Sequence, residues 1–229
     1  MHPELGLLVV ADGMGGYEGG EVASRIVVDR MVELFRRATH DRDSTWPHAP
    51  RPARDELVGR VEVGLRDAHE AVLAERRGDL GRMGSTAVVA AWSGAQLVLG
   101  HVGDSRAYRL RHGVLQRLTE DHSVIEEARR AGMTDGVDIA GFRHMLTRAV
   151  GMPGDLGADV ATSTLWPGDV VLLCSDGVWE PQTDDDLRAA LSMPRPEHAV
   201  QALVAGAYEV GGTDNMTAVV LQVEASPAG

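Results

Sequence analysis

The chain has 229 residues, 44% of them hydrophobic, and a formal net charge of −12. This apolar content suffices to bury the core of one domain spanning 1–229, and the acidity repels nucleic acid and anionic membrane surfaces, so neither is an expected partner. No apolar run approaches the roughly 20 residues of a membrane span, the N-terminus lacks the basic and apolar regions of a signal peptide, and the lone Cys174 cannot form an internal disulfide; a cytoplasmic protein is expected.

The first predicted strand, Leu7 to Ala11, runs into Asp12-Gly13. From Glu18 to Ala38, the residues Val22, Ala23, Ile26, Val27, Met31, Leu34 and Phe35 recur on one helical face. Thr39 to Arg54 is polar and proline-containing and reads as a surface connection. Leu57, Val58, Val61, Leu65, Ala68, Val72 and Leu73 then resume helical spacing, which predicts two antiparallel helices. From Gly84 the pattern changes to short strands, Thr86–Trp92, Gln96–Val102, Arg106–Arg111 and Val114–Leu118, which predict a β-meander. The segment 122–150 is irregular apart from a short helix near Val124–Ala131, and reads as a flap beside a site. Strands at Val160–Leu165 and Asp169–Cys174, helices near Asp185–Leu191 and Glu197–Val210, and a last strand, Ala218 to Val223, complete an α+β layered order.

Chemistry concentrates where strands end. Cys174-Ser175 runs into Asp176-Gly177 as Ala11 runs into Asp12-Gly13, and Asp214-Asn215 stands before the last strand. Each Asp-Gly alone is a common turn. Together they predict carboxylates gathered at one edge of a sheet, an arrangement that repels itself unless cations fill it. The five glycines among residues 13–20 also invite comparison with a dinucleotide cradle, but Glu18 stands where the third glycine belongs and Asp12 would repel a pyrophosphate. Asp104, followed by Arg106, reads as a turn residue, whereas Asp121, opening the flap, is the better ligand candidate. With neither His-x-His nor Cys-x-x-Cys spacing, zinc is disfavoured and oxygen ligation by magnesium or manganese is expected. Cys174, inside an apolar run, reads as a small buried hydrophobe.

Asp12-Gly13-Met14-Gly15-Gly16, Gly84-Ser85-Thr86, Gly103-Asp104-Ser105-Arg106, Leu118 through Ser123, Leu146 through Gly151, Ser175-Asp176-Gly177 and Gly212-Thr213-Asp214-Asn215 resemble, in order, the bacterial metal-dependent serine/threonine protein phosphatases of the PPM (type 2C) family. The resemblance implies a four-layer αββα sandwich with two Mn2+ or Mg2+ ions and room for a third. It implies that Asp12 bridges the two ions, that the Gly13 carbonyl ligates one, that Asp176 and Asp214 complete the other, and that Asp121 with Asp176 holds the weaker third. Two cations roughly 3.5–4 Å apart would activate a shared water for in-line attack on a phosphoserine or phosphothreonine ester, with no protein nucleophile. Substrates would be phosphorylated proteins, products of bacterial Ser/Thr kinases. Met14 stands where some relatives carry a histidine proposed as general acid. Asp12 falls early compared with the family, whose members carry further strands and a phosphate-gripping arginine before it, so the fold is expected to lack its first strands. That departure keeps an alternative in view: a catalytically weakened member acting as a phosphoprotein-binding or regulatory module.

Overall fold

The computed structural model describes residues 2–43, 54–133, 140–142 and 144–224. The middle of the expected connection between the first two helices, 44–53, and the flap residues 134–139 and 143 lie outside the described residues.

Strand β1 (Leu7–Val10) leads through β2 (Gly13–Met14) into α1 (Tyr17–Asp43). Helix α2 (Arg54–Glu75) precedes β3 (Gly84–Ser85), β4 (Ala87–Ser93), β5 (Gln96–Val102), β6 (Arg106–Arg111) and β7 (Val114–Arg117). After α3 (Val124–Arg130) come β8 (Asp159–Thr164), β9 (Val170–Cys174), the single-turn α4 (Asp176–Trp179), α5 (Asp184–Leu191), α6 (Pro196–Glu209) and β10 (Ala218–Gln222). Two four-stranded sheets form, in the orders β1-β4-β5-β8 and β10-β9-β6-β7, and β2 pairs with β3 separately.

The run from Thr86 to Leu118 is not one meander. β4 and β5 form a hairpin of the first sheet, β6 and β7 a hairpin of the second, and the chain changes sheets at Gly103-Asp104-Ser105. Gly103 makes the crossing possible with φ of 103°, in the left-handed region, where any Cβ would also run into Thr86. β8 and β9, on either side of Pro167-Gly168, likewise belong to different sheets.

Alternation along the strands builds four layers. On β1, Leu7 and Val9 face the helices α1 and α2, together with Ala87, Val89 and Ala91 of β4. Leu8, Val10, Val88, Ala90, Leu97 and Leu99 face inward and meet Ala107, Val171 and Leu173 of the second sheet. Leu172 and Cys174 turn the other way, onto Leu187, Leu191 and Leu203 of α5 and α6. The order helix, sheet, sheet, helix is the expected αββα sandwich. Cys174 is fully buried, and burial pushes its thiol far above the usual range.

Helices α1 and α2 run antiparallel: Arg30 pairs with Asp67 at 3.6 Å, while further along α1 the Phe35 ring lies 5.4 Å from the guanidinium of the earlier residue Arg60. Helix α2 rests directly on β5 at Gly100, where a Cβ would stand 2.5 Å from Val61 Cγ1 and 2.9 Å from Leu65 Cδ1. Gly100→Val is therefore expected to cost about 2 kcal/mol by overpacking, read as a lower urea midpoint with an unchanged m-value. Among the described residues no helix is long and apolar enough to cross a membrane.

Candidate metal centre

Asp12 follows β1 and is fixed by its backbone. Its N–H donates to Thr86 Oγ1 at 2.9 Å, and its carbonyl accepts from the Thr86 N–H at 2.8 Å and from Ser85 Oγ at 3.0 Å. Thr86 Oγ1 is 2.7 Å from Ser105 Oγ, so the Gly84-Ser85-Thr86 segment ties the Asp12 turn to the crossing that carries Asp104. Gly13 abuts Gly20 at the start of α1, and a Cβ on either would collide with the other's backbone, so this turn accepts only glycine at both places.

Asp176 is positioned from the second sheet. β9 pairs with β10 so that Cys174 lies opposite Ala218. Just beyond, Ser175 closes the two chains together: its N–H donates to the Thr217 carbonyl at 3.0 Å, its Oγ donates to the Asn215 carbonyl at 3.1 Å, and the same Oγ accepts from the Thr217 N–H at 3.1 Å. Gly177 lets the start of α4 approach the Asp214-Asn215 turn so closely that a Cβ would sit 2.5 Å from the Asn215 carbonyl and 3.3 Å from Asp214 Cβ. Asp176 and Asp214 are neighbours because β9 and β10 are.

The two strand ends meet. Asp12 is half-buried and its carboxyl is pushed up to about 7, first by burial, then by the charge of Asp176 and its side-chain hydrogen bond, then by Asp214 and Asp104. Asp104 is likewise raised to about 7, by burial first and then by Asp176 and Asp121. Across the rim, His144 at the end of the flap, Asp176 and Glu180 present ligand atoms within 4.8 Å of one another.

Asp12, Asp176 and Asp214 thus come together as their strand-end positions predict. Asp104, expected to be a turn residue, is the fourth carboxylate facing them. It carries the same signal as the others, a carboxylate directly after an apolar strand, here β5. Asp121 stands close enough to Asp104 to help raise it, and is itself engaged by arginine. Its carboxylate accepts from Arg106 Nε at 2.9 Å and Nη2 at 2.6 Å, with Arg117 at 3.8 Å, so two half-buried arginines already balance its charge. Arg106 stacks 3.2 Å above the Trp179 ring, and Trp179 Nε1–H donates to the Asp104 carbonyl at 3.0 Å. Arg148 is also engaged within the chain, donating to the Gly157 carbonyl at 2.6 Å and to Asp159 at 3.2 Å.

An all-oxygen set of clustered carboxylates, two of them raised to about 7 by burial and then by neighbouring carboxylates, suits hard divalent cations and not a thiophilic metal. The comparisons agree with this geometry. Residues 2–205 match the family model of protein phosphatase 2C. The chain is 30% identical over 232 residues to the serine/threonine phosphatase stp of Listeria monocytogenes, covering 97% of this chain and 86% of the relative. Among solved structures, PppA of Pseudomonas aeruginosa, described as a key regulatory component of T6SS, superposes with a TM-score of 0.79 at 37% identity, over 96% of this chain and 87% of that one. The catalytic domain of the serine/threonine protein phosphatase PstP, in complex with two manganese ions, superposes with a TM-score of 0.78 at 31% identity, over 93% of this chain and 86% of that one. With a sandwich of matching order and acidic turns converging from both sheets, the chain belongs to the protein phosphatase 2C family.

Proposed function

We propose that this chain is a metal-dependent phosphoprotein phosphatase that hydrolyses phosphoserine and phosphothreonine esters. The observation that carries this reading is the carboxylate cluster itself: Asp12, Asp176, Asp214 and Asp104 reach one place from four separated segments, at a cost in self-repulsion that bound cations would relieve. When bound there, two Mn2+ or Mg2+ ions would supply an activated water and positive charge for the phosphoryl oxygens. Asp12, which feels the charges of Asp176, Asp214 and Asp104, would hold both ions, with the Gly13 carbonyl next to it in the chain, and Asp176 and Asp214 would supply the further oxygens. Asp104 with Asp176 would hold the outer, weaker cation in preference to Asp121, both of whose oxygens already accept from Arg106. The only thiol, that of Cys174, is buried and unavailable as a nucleophile. Phosphorylated proteins, made by bacterial Ser/Thr kinases in the cytoplasm, are the substrates this chemistry fits.

Hydrolysis of p-nitrophenyl phosphate and a phosphothreonine peptide, followed across a manganese titration, tests the reading. The native chain should be inactive with chelator and active with manganese. Asp104→Asn should raise the half-saturating manganese concentration about tenfold or more, whereas Asp121→Asn should leave it close to the native value. Inactivity of the native chain at saturating manganese and magnesium would overturn the enzyme reading, and equal effects of the two variants would overturn the choice of Asp104.

A further inference from the structure

Behind the carboxylates, between the two sheets, His101 of β5 and His122 lie with ring centroids 4.6 Å apart, and their ring nitrogens and the Asp159 carboxylate fall within 4.8 Å of one another. This has the composition of a transition-metal site, but one hydrogen bond argues against it. The backbone N–H of Gly103 donates to His122 Nδ1 at 3.2 Å, which requires that nitrogen to be unprotonated. The proton of the neutral ring then sits on Nε2, 3.1 Å from Asp159 Oδ2, where it completes a hydrogen bond and leaves no lone pair for a metal. Burial keeps the His122 ring below the ordinary imidazole range, and keeps that of His101 at about 3, so both rings are neutral near pH 7.

His122 does something else with this tautomer. It takes the Gly103 N–H on its ring and gives its own backbone N–H to the Gly103 carbonyl at 2.8 Å, so both polar backbone groups of the glycine before Asp104 are held by one residue. His122 is itself fixed on two further sides. Its carbonyl accepts from the Thr147 N–H at 2.9 Å, at the base of the flap, and its Nε2–H is anchored on Asp159, which Arg148 pairs at 3.2 Å. We propose that His122 is a positioning residue for the cation cluster: by clamping Gly103 it sets where the Asp104 carboxylate stands, and it joins the outer cation position to the base of the flap. This rests on the assignment of Asp104 to the outer cation position.

Two variants separate the contacts of the ring. In His122→Asn the amide oxygen stands near the place of Nδ1 and can still accept from Gly103, while the link to Asp159 is lost. In His122→Gln the amide reaches toward Asp159 and leaves the Gly103 N–H without its acceptor. Manganese occupancy is counted by electron paramagnetic resonance of the free ion, beside kcat at saturating manganese. His122→Asn should keep the native occupancy curve. His122→Gln should weaken the loosest manganese site about tenfold or more, the size typical of residues that orient a ligand, with kcat recovered at saturation. Asp104→Asn combined with His122→Gln should bind no more weakly than Asp104→Asn alone, because both act on one carboxylate. Equal loss in the two His122 variants, native affinity in His122→Gln, or additive losses in the double variant would overturn the proposal. Nitrogen-15 spectra of the metal-free protein give a reading independent of activity: His122 should show a bare Nδ1 and a protonated Nε2, and the opposite tautomer refutes the clamp. A chain that binds manganese with this pattern yet hydrolyses no phosphoester would refute the phosphatase reading while sustaining the clamp.

Discussion

Asp12→Asn is expected to lower manganese-dependent phosphoester hydrolysis by about three orders of magnitude or more, and at the same time to make the metal-free chain more stable at neutral to alkaline pH. Both effects have one origin. Asp12 feels three other carboxylates, and its own is raised from 3.8 to about 7 by burial and by Asp176, Asp214 and Asp104. In the metal-free fold it therefore prefers to hold a proton. A carboxyl whose folded pKa exceeds its unfolded one stabilises the fold fully below the unfolded value of 3.8, and that contribution is lost as pH rises through about 7. Above pH 7 the ionised group is a net penalty. Each pKa unit corresponds to about 1.4 kcal/mol, and because solvent reaches part of this carboxyl the net penalty is about 2 kcal/mol. Asparagine removes the charge, and with it both the penalty and one of the two carboxylate oxygens proposed to hold the cations. Urea unfolding in chelator at about pH 8 and about pH 5.5 checks this: the native protein should gain stability on acidification, and the Asp12→Asn difference should shrink. A variant that is less stable than the native chain at the alkaline value would show that Asp12 is held by contacts outweighing the repulsion.

The same cluster shows how far local sequence reaches. Asp12, Asp176 and Asp214 were legible because each lies directly at the border of an apolar strand, and β-pairing then decides their meeting. The helices and strands were legible from their periods, since Val22 through Phe35 and Leu57 through Leu73 each stripe one face. Membership of a sheet was not. β4, β5 and β9 are buried on both faces, so alternation does not say which sheet a strand joins, and a meander within one sheet has the same pattern as two hairpins in stacked sheets. The short α4 was missed because its four residues lie inside the acidic turn that announces the site. The proposed choice of Asp104 over Asp121 rests on where one guanidinium points. Both are acidic residues beside a strand, and Asp104 carries the strand-end signal of the other three; that Arg106 pairs with Asp121 and not with Asp104 is a matter of tertiary packing.

That guanidinium carries the largest stability effect expected in the chain. Arg106→Leu should destabilise the fold by about 3–4 kcal/mol, the usual consequence of breaking a buried ion pair from one side. Asp121, 7% exposed, would keep only Arg117 at 3.8 Å, and Tyr108 would lose the Arg106 donor 3.0 Å from its hydroxyl. Arg106→Lys should not restore the loss, because a point ammonium offers neither the paired N–H fork that Asp121 accepts nor a planar face to lie on Trp179. Adding Asp121→Leu to Arg106→Leu should recover most of it, since the desolvated charge is then gone. Urea titrations of the native, single and double variants measure the coupling directly. Manganese affinity of the double variant then separates strength from geometry. Trp179 reaches the Asp104 carbonyl from beneath the Arg106 stack, so a protein restored in stability but weakened toward manganese would show that the pair also holds the Asp104 turn in place. Native manganese affinity in the same variant would confine the role of Arg106 and Asp121 to the stability of the sheet edge.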